Sequence, residues 1–210
     1  MKNALEVSHL PQDYGSFKLD DVSFTVPGGT IMGLIGENGA GKSTTIKCIL
    51  NLLRRDGGEI QVLGLDNLAD ERAVKAQVGV VLDETTFHDG LSAPQVGNIL
   101  ARLYPGWDGA LYQHYLEKFG LTSKKLVKTF SKGMKMTLSL AAAFAARPKL
   151  LILDEATSGL DPVVRDEILD EFLAFIQDEE HAILLSSHIT SDLEKVADYV
   201  TYLHRGRVAV

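Results

Sequence analysis

Residues Gly36 to Thr44 read GENGAGKST and match the spacing G-x-x-x-x-G-K-[ST]. Gly36, Gly39 and Gly41 allow a backbone to wrap closely around an anion with its N–H groups turned inward. Glu37, Asn38 and Ala40 complete the loop between them. Lys42 would reach the terminal phosphates of a nucleotide, and the Ser43 hydroxyl, followed by Thr44, would be offered to Mg²⁺. The segment follows a predicted strand and opens a predicted helix, whose positive dipole end faces the same anion. The chemistry is phosphate binding by a P-loop.

A second group of residues supplies hydrolysis. LLILDE, residues 150–155, is an apolar strand ending in two acids, and such a strand delivers its end to the crevice where α/β sheets bind ligands. Asp154 would hold Mg²⁺ through water, and Glu155 would polarise an attacking water as general base. Alone, a strand ending in Asp-Glu is as readily a solvated strand end. Beside a P-loop it reads as a Walker B motif, and the second acid argues for water rather than a substrate hydroxyl as nucleophile. His188 closes another apolar run, LLSSH. It is open to two readings, a structural strand-end histidine or a contact to the γ-phosphate.

The elements that must hold these groups are visible in the hydrophobic pattern. ALEVSHL, DVSFTV and GEIQVLG are β-rich and divided by the turns PGG (27–29) and DGG (56–58), which predicts an antiparallel portion. IMGLI, VGVVL, LLILD and AILLSS are continuous apolar runs suited to strands buried on both faces of a parallel sheet. Residues 161–177 predict a helix with Asp161 as N-cap and Pro162 at its first position. Val164, Ile168, Leu169, Phe172, Leu173 and Ile176 would line its buried face. Ser191 and Glu194 have capping-box spacing. Residues 89–146 lack a strand run, with a turn at YPGWDG and helices near 110–119 and 131–146. The stretch is either a long crossover or a helical subdomain inserted into an α/β core.

Composition bounds the rest. Of 210 residues, 45% are hydrophobic and 23% charged, enough for a sizeable core. Cys48 stands alone, in a predicted helix IKCILNLL, and reads as a small core residue in a reducing compartment. MKNALEVSHLPQD lacks the continuous apolar stretch of a secretory signal. No apolar run approaches the roughly 20 residues a membrane helix needs, so a cytosolic location is expected. Net charge is −7 without a dense Lys/Arg cluster, which weighs against a nucleic-acid surface.

Taken together these residues resemble the ABC ATPase family over essentially the whole chain. LDEATSGLDP (153–162) joins the Walker B acids to the family's D-loop, Ser158, Gly159, Leu160 and Asp161. FSKGM (130–134) is similar to the family signature, whose usual form is LSGGQ. The SSHITSDLEKVADYV ending looks most like bacterial exporters of the ABC-2 type. The resemblance implies one P-loop domain, with an α/β core of mainly parallel sheet (1–88 and 147–210), an antiparallel β subdomain and an inserted helical subdomain (89–146). It implies that Tyr14 stacks on adenine, the alternative being ordinary packing. It further implies that two ATP-binding subunits, identical or different, pair head to tail. Each ATP would then lie between one P-loop and the partner's Ser131, Lys132 and Gly133. ATP and Mg²⁺ would be the ligands. A transmembrane permease would hold the pair at the inner face of the cell membrane and convert its motion into transport.

Four positions depart from the family pattern. Lys132 replaces a signature glycine and Met134 the glutamine; the lysine would add charge near the partner's phosphate or point into solvent. Ala156 replaces a proline. Asp83, in VGVVLDE, replaces the glutamine that touches Mg²⁺ and the membrane partner. It would either reach the metal as a charged ligand or swing out and leave water in its place. The competing readings are a soluble ATPase of this class acting on nucleic acid or ribosomes, and a module that binds ATP without turnover. The first lacks the coiled-coil insertion or second ATPase domain expected of it; Lys42, Glu155 and His188 argue against the second. A small-molecule kinase or GTPase would leave SGLD and FSKGM unexplained.

Overall fold

The computed structural model describes residues 2–15, 17–83, 87–122 and 124–209. The β-rich N-terminal segments form β1 (Asn3–Asp13) and β2 (Lys18–Pro27), and the first apolar run forms β3 (Ile31–Gly36). The P-loop then opens α1 (Lys42–Ile49), followed by β4 (Glu59–Val62), β5 (Leu65–Asp66), α2 (Glu71–Lys75) and β6 (Val78–Val81). The middle of the chain is helical: α3 (Ala93–Leu100), α4 (Gly109–Lys118) and α5 (Lys132–Ala145). The remainder alternates as β7 (Leu150–Asp154), α6 (Pro162–Phe175), β8 (Ala182–Ser186), α7 (Thr190–Val196), β9 (Tyr199–His204) and β10 (Arg207–Ala209).

Two sheets result. β2-β1-β4-β5 is antiparallel, with alternating burial along β2. The second sheet has the order β10-β9-β3-β8-β7-β6 and is parallel except for β10. Every residue of β7 and β8 is buried, as continuous apolar strands covered on both faces require. One face meets the antiparallel sheet and α1 through Leu34, Ile46, Ile152 and Leu184. The other meets the helices through Leu151, Leu185, Leu138 and Phe172. The buried side chains of α4 and α5 thus belong to the same cluster as one face of the parallel sheet.

Local sequence explains the helix that begins at FSKGM. Ser131 is the N-cap of α5 and its Oγ accepts from Met134 N at 3.2 Å. Met136 to Ala145 are then buried without interruption. Each large apolar side chain taken from water there contributes about 1.5–3 kcal/mol, so α5 is anchored along its length and its first turn is held at a fixed place. Asp161 caps α6 as expected, accepting from Val163 N and Val164 N at 3.1 Å each.

Three local expectations change. Leu173 is 37% exposed, so the buried face of α6 is narrower than its pattern. α1 stops at Ile49 because Asn51 turns left-handed (φ 55) and the Asn67 amide donates to the Ile49 carbonyl at 2.9 Å. Ser191 caps nothing: α7 starts at Thr190 behind Ile189, which has no side-chain cap. The capping box lies instead at Ser92 and Gln95, where Ser92 N donates to Gln95 Oε1 at 2.9 Å.

Candidate functional site

β3, β8, β7 and β6 are parallel neighbours, so their C-terminal ends emerge side by side. β3 delivers the P-loop, β8 is followed by His188, β7 ends in Asp154 before Glu155, and β6 is followed by Asp83. A cavity of about 550 Å³ opens along this edge. Its lining includes Asn38, Gly39, Gly41, Lys42, Ser43 and Thr44 on one side and Asp83, Lys132, Glu155, Ser158 and His188 on the other.

The P-loop side is built from backbone. Gly41 is left-handed (φ 112) and a Cβ there would collide with Leu19 Cδ2 and lie 2.9 Å from Phe17 Cζ. Gly39 is also left-handed, at φ 82. A Cβ on Gly36 would strike the Leu203 carbonyl. The turn therefore closes only with glycine at Gly36 and Gly41. The first turn of α1 has no side-chain cap, leaving its N–H groups directed to an anion. Lys42 is 7% exposed; its Nζ donates to the Gly36 carbonyl at 2.7 Å and the Glu37 carbonyl at 3.4 Å. That posture holds the ammonium inside the loop, where a phosphate would take over the loop carbonyls' role as acceptor.

Opposite lie the hydrolytic groups. Glu155 adopts a left-handed backbone (φ 54), a conformation costing about 1–3 kcal/mol for a residue other than glycine. Its N–H donates to the Ser186 carbonyl at 3.0 Å, which keeps the turn on β8. Glu155 Oε2 and His188 Nδ1 are 2.5 Å apart; a carboxylate so placed fixes the imidazole as the Nδ1–H donor and leaves Nε2 free. D-loop Ser158 lines the cavity, while Gly159 packs on the side chain of Lys132 and Leu160 is buried. Gly133 lies against the Gly159 carbonyl, 3.2 Å from where its Cβ would be, and Asp161 is committed to capping α6.

The donors present suit Mg²⁺. Asp154 is 4% exposed and its Oδ1 has no hydrogen-bond partner among the described residues. A buried carboxylate oxygen without a partner is costly and is the donor a hard cation takes. Ser43 is exposed to the cavity. Among the described residues no cluster of three or more His, Cys, Asp or Glu stands ready to hold a metal alone. The set therefore suits an ion that keeps phosphate and water among its ligands, as Mg²⁺ does.

Of the remaining predicted site residues, Asp83 and Lys132 line the cavity and Tyr14 does not. Tyr14 is 46% exposed and is not among the cavity's lining residues. Tyr14 N donates to the Phe17 carbonyl at 2.9 Å, and among the described residues Phe17 lines the cavity. Phe17, three positions after Tyr14 in the sequence YGSF, has an aromatic ring that the sequence alone did not distinguish from it. Asp83 and Lys132 pair with each other: Lys132 Nζ donates to Asp83 Oδ1 at 2.8 Å. The lysine is half exposed and lines the cavity of its own chain. Cys48, by contrast, is fully buried, and burial pushes its thiol up to about 11.

Comparison with known proteins agrees with this geometry. The sequence pattern of the ABC transporter family matches residues 19–158. The bacitracin transport ATP-binding protein of Bacillus licheniformis is 34% identical over 99% of this chain and 69% of its own length. The daunorubicin/doxorubicin resistance ATP-binding protein of Streptomyces peucetius is 34% identical over 98% of this chain and 64% of its own. The lantibiotic transport ATP-binding protein of Streptococcus pyogenes is 34% identical over 97% and 88%. A solved ATP-binding subunit of an ABC transporter superposes with a TM-score of 0.90 at 32% identity, covering 99% of this chain and 88% of that one. None of these relatives supports the nucleic-acid reading.

Proposed function

The chain belongs to the ABC transporter family, and from that premise we propose that it is the ATP-hydrolysing subunit of an exporter, closing head to tail with a second ATP-binding subunit. The reaction is ATP + H₂O → ADP + phosphate. The observation that carries the reading is the single cavity that gathers Lys42 and Ser43 from the end of β3, Glu155 from β7 and His188 from β8.

The residues divide the work by position. The P-loop amides and the α1 N-terminus orient the phosphates, and Lys42 exchanges its loop carbonyls for phosphate oxygens. Glu155 accepts a proton from the attacking water. His188, tied to Glu155 through Nδ1, stands beside the position of the γ-phosphate. Ser43 and Asp154 would hold Mg²⁺, which neutralises charge on the phosphates when bound; Asp83 stands near enough to the same cavity to join them. Phe17, more than Tyr14, presents a ring to the cavity for the base. Ser131 to Gly133 offer their α5 N-terminus to the partner's nucleotide.

Relatives carry bacitracin transport, daunorubicin/doxorubicin resistance and lantibiotic transport in their names, so the cargo proposed here is an antibiotic-like compound exported through a separate permease. No described helix is long and apolar enough to cross a membrane. A groove of about 300 Å³ lined by Leu50, Leu52, Val80 and Tyr104 is the apolar surface on which that permease would dock, at the cytoplasmic side of the membrane. The deciding experiment is light scattering of Glu155→Gln with and without Mg-ATP. An ATP-dependent dimer supports the head-to-tail pair. A variant that binds ATP and stays monomeric overturns pairing with its own copy and directs the search to a different second subunit.

A further inference from the structure

We propose that Lys132 is a phosphate-binding residue held in reserve by Asp83, so that an ion pair within one chain must open before the lysine can engage a nucleotide across the interface. The inference rests on the head-to-tail reading above. Lys132 is the first residue of α5 and Asp83 follows β6, 49 positions earlier. The lysine stem runs along the D-loop, its Cδ 3.4 Å from where a Cβ on Gly159 would stand. Its ammonium then meets Asp83 Oδ1 at 2.8 Å. Both ends of the pair line the cavity that holds Lys42, Ser43 and Glu155.

The charges explain why the two belong together. A triphosphate entering this cavity meets two carboxylates, Asp83 and Glu155, and Asp83 alone would repel it. Lys132 cancels that charge in the open chain. The side chains are 56% and 51% exposed, so the pair is weak and screened by salt. A phosphate enclosed between two subunits is a stronger acceptor, because charge-assisted bonds gain strength as water leaves. One turn further along α5, Lys135 Nζ stands 3.5 Å from Asp89 Oδ1, a second tie between the start of this helix and the stretch after β6. The pair is thus a bias on closure rather than a block. It also makes the start of the signature helix sense what Asp83 is doing.

A double-mutant cycle tests this, with Asp83→Asn, Lys132→Met and both changes placed in the Glu155→Gln background. The readout is the ATP concentration that gives half-maximal dimer by light scattering. Freeing the lysine by Asp83→Asn should lower that midpoint by about two- to fivefold, the range an exposed ion pair commands, and Lys132→Met should raise it. In the Lys132→Met background, Asp83→Asn should shift the midpoint less, because only relief of the carboxylate's own repulsion remains. If it shifts the midpoint equally there, Asp83 acts alone and the proposal is overturned. A second measurement does not need dimers: acetylation of Lys132 in the nucleotide-free chain, quantified by mass spectrometry, should be about two- to fivefold faster in Asp83→Asn at low salt. Equal rates overturn the pair. If no variant dimerises while labelling responds, the head-to-tail reading fails and the ion pair stands.

Discussion

The two walls of the cavity are built in opposite ways. On the P-loop side the wall is backbone-made and its lysine buried: Lys42 is 7% exposed, and Gly36 and Gly41 sit where no side chain fits. On the facing side the working groups are side chains at the rim, with Asp83 and Lys132 about half exposed and His188 side chain 55% exposed. A buried, backbone-built wall is rigid because moving it would break packing at native density. A rim of exposed charges is cheap to rearrange. The difference separates holding a nucleotide, which needs one geometry, from responding to it, which needs two.

The largest effect that would sharpen this contrast is expected at Lys42. Lys42→Ala should reduce phosphate release by about 10²- to 10³-fold, measured under saturating ATP, whereas Lys132→Met in an otherwise unaltered chain should change it far less. Comparable losses at both would erase the distinction between the walls. Next is Gly41→Ala, which forces a Cβ against Leu19 and Phe17 in a left-handed conformation. It should destabilise the nucleotide-free chain by about 1–3 kcal/mol in urea unfolding; an unchanged midpoint would mean the P-loop wall is softer than its packing. Removing the ring of Phe17 by Phe17→Ala should weaken nucleotide binding by about five- to tenfold. Tyr14→Ala should leave it nearly unchanged, and the reverse ranking would return the base platform to Tyr14.

The smallest effect concerns Cys48, behind the P-loop wall. Its folded thiol is raised from the ordinary 9.0 to about 11 by burial, against a lowering by the Arg55 charge. The folded chain therefore keeps its proton where the unfolded chain loses it. The stability this gives is complete below pH 9 and is lost as pH rises from 9 towards 11. Native-state alkylation at pH 8 should be slow and should accelerate only on unfolding. Rapid labelling of the folded chain would show that the buried wall opens.

Much of this molecule was legible because local chemistry carried it. GENGAGKST specifies its turn through residues that alone tolerate it, and Asp161-Pro162 starts α6 with its own cap. The continuous apolar runs became the parallel strands because burial on both faces admits little else. The expected helices near 110–119 and 131–146 formed as α4 and α5. Where a local signal had competitors it failed. Ser191 and Glu194 had the right spacing, yet the chain leaving β8 enters α7 at Thr190, and a cap needs the N-cap backbone as well as the side chain. Tyr14 and Phe17 are three positions apart, and only the tertiary structure brings the second of them to the cavity.

By itself, then, the sequence determined the phosphate loop, the acids beside it, the strands that bear them and the family to which they belong, because each rests on residues close together in the chain. Only the tertiary structure decided that β3, β8, β7 and β6 lie side by side and bring the P-loop, His188, Glu155 and Asp83 to one edge. It alone decided that the two unusual charges, Asp83 and Lys132, answer one another. Contacts across 49 positions leave no periodicity to read; they exist because strand order and the burial of α5 bring distant side chains to the same rim.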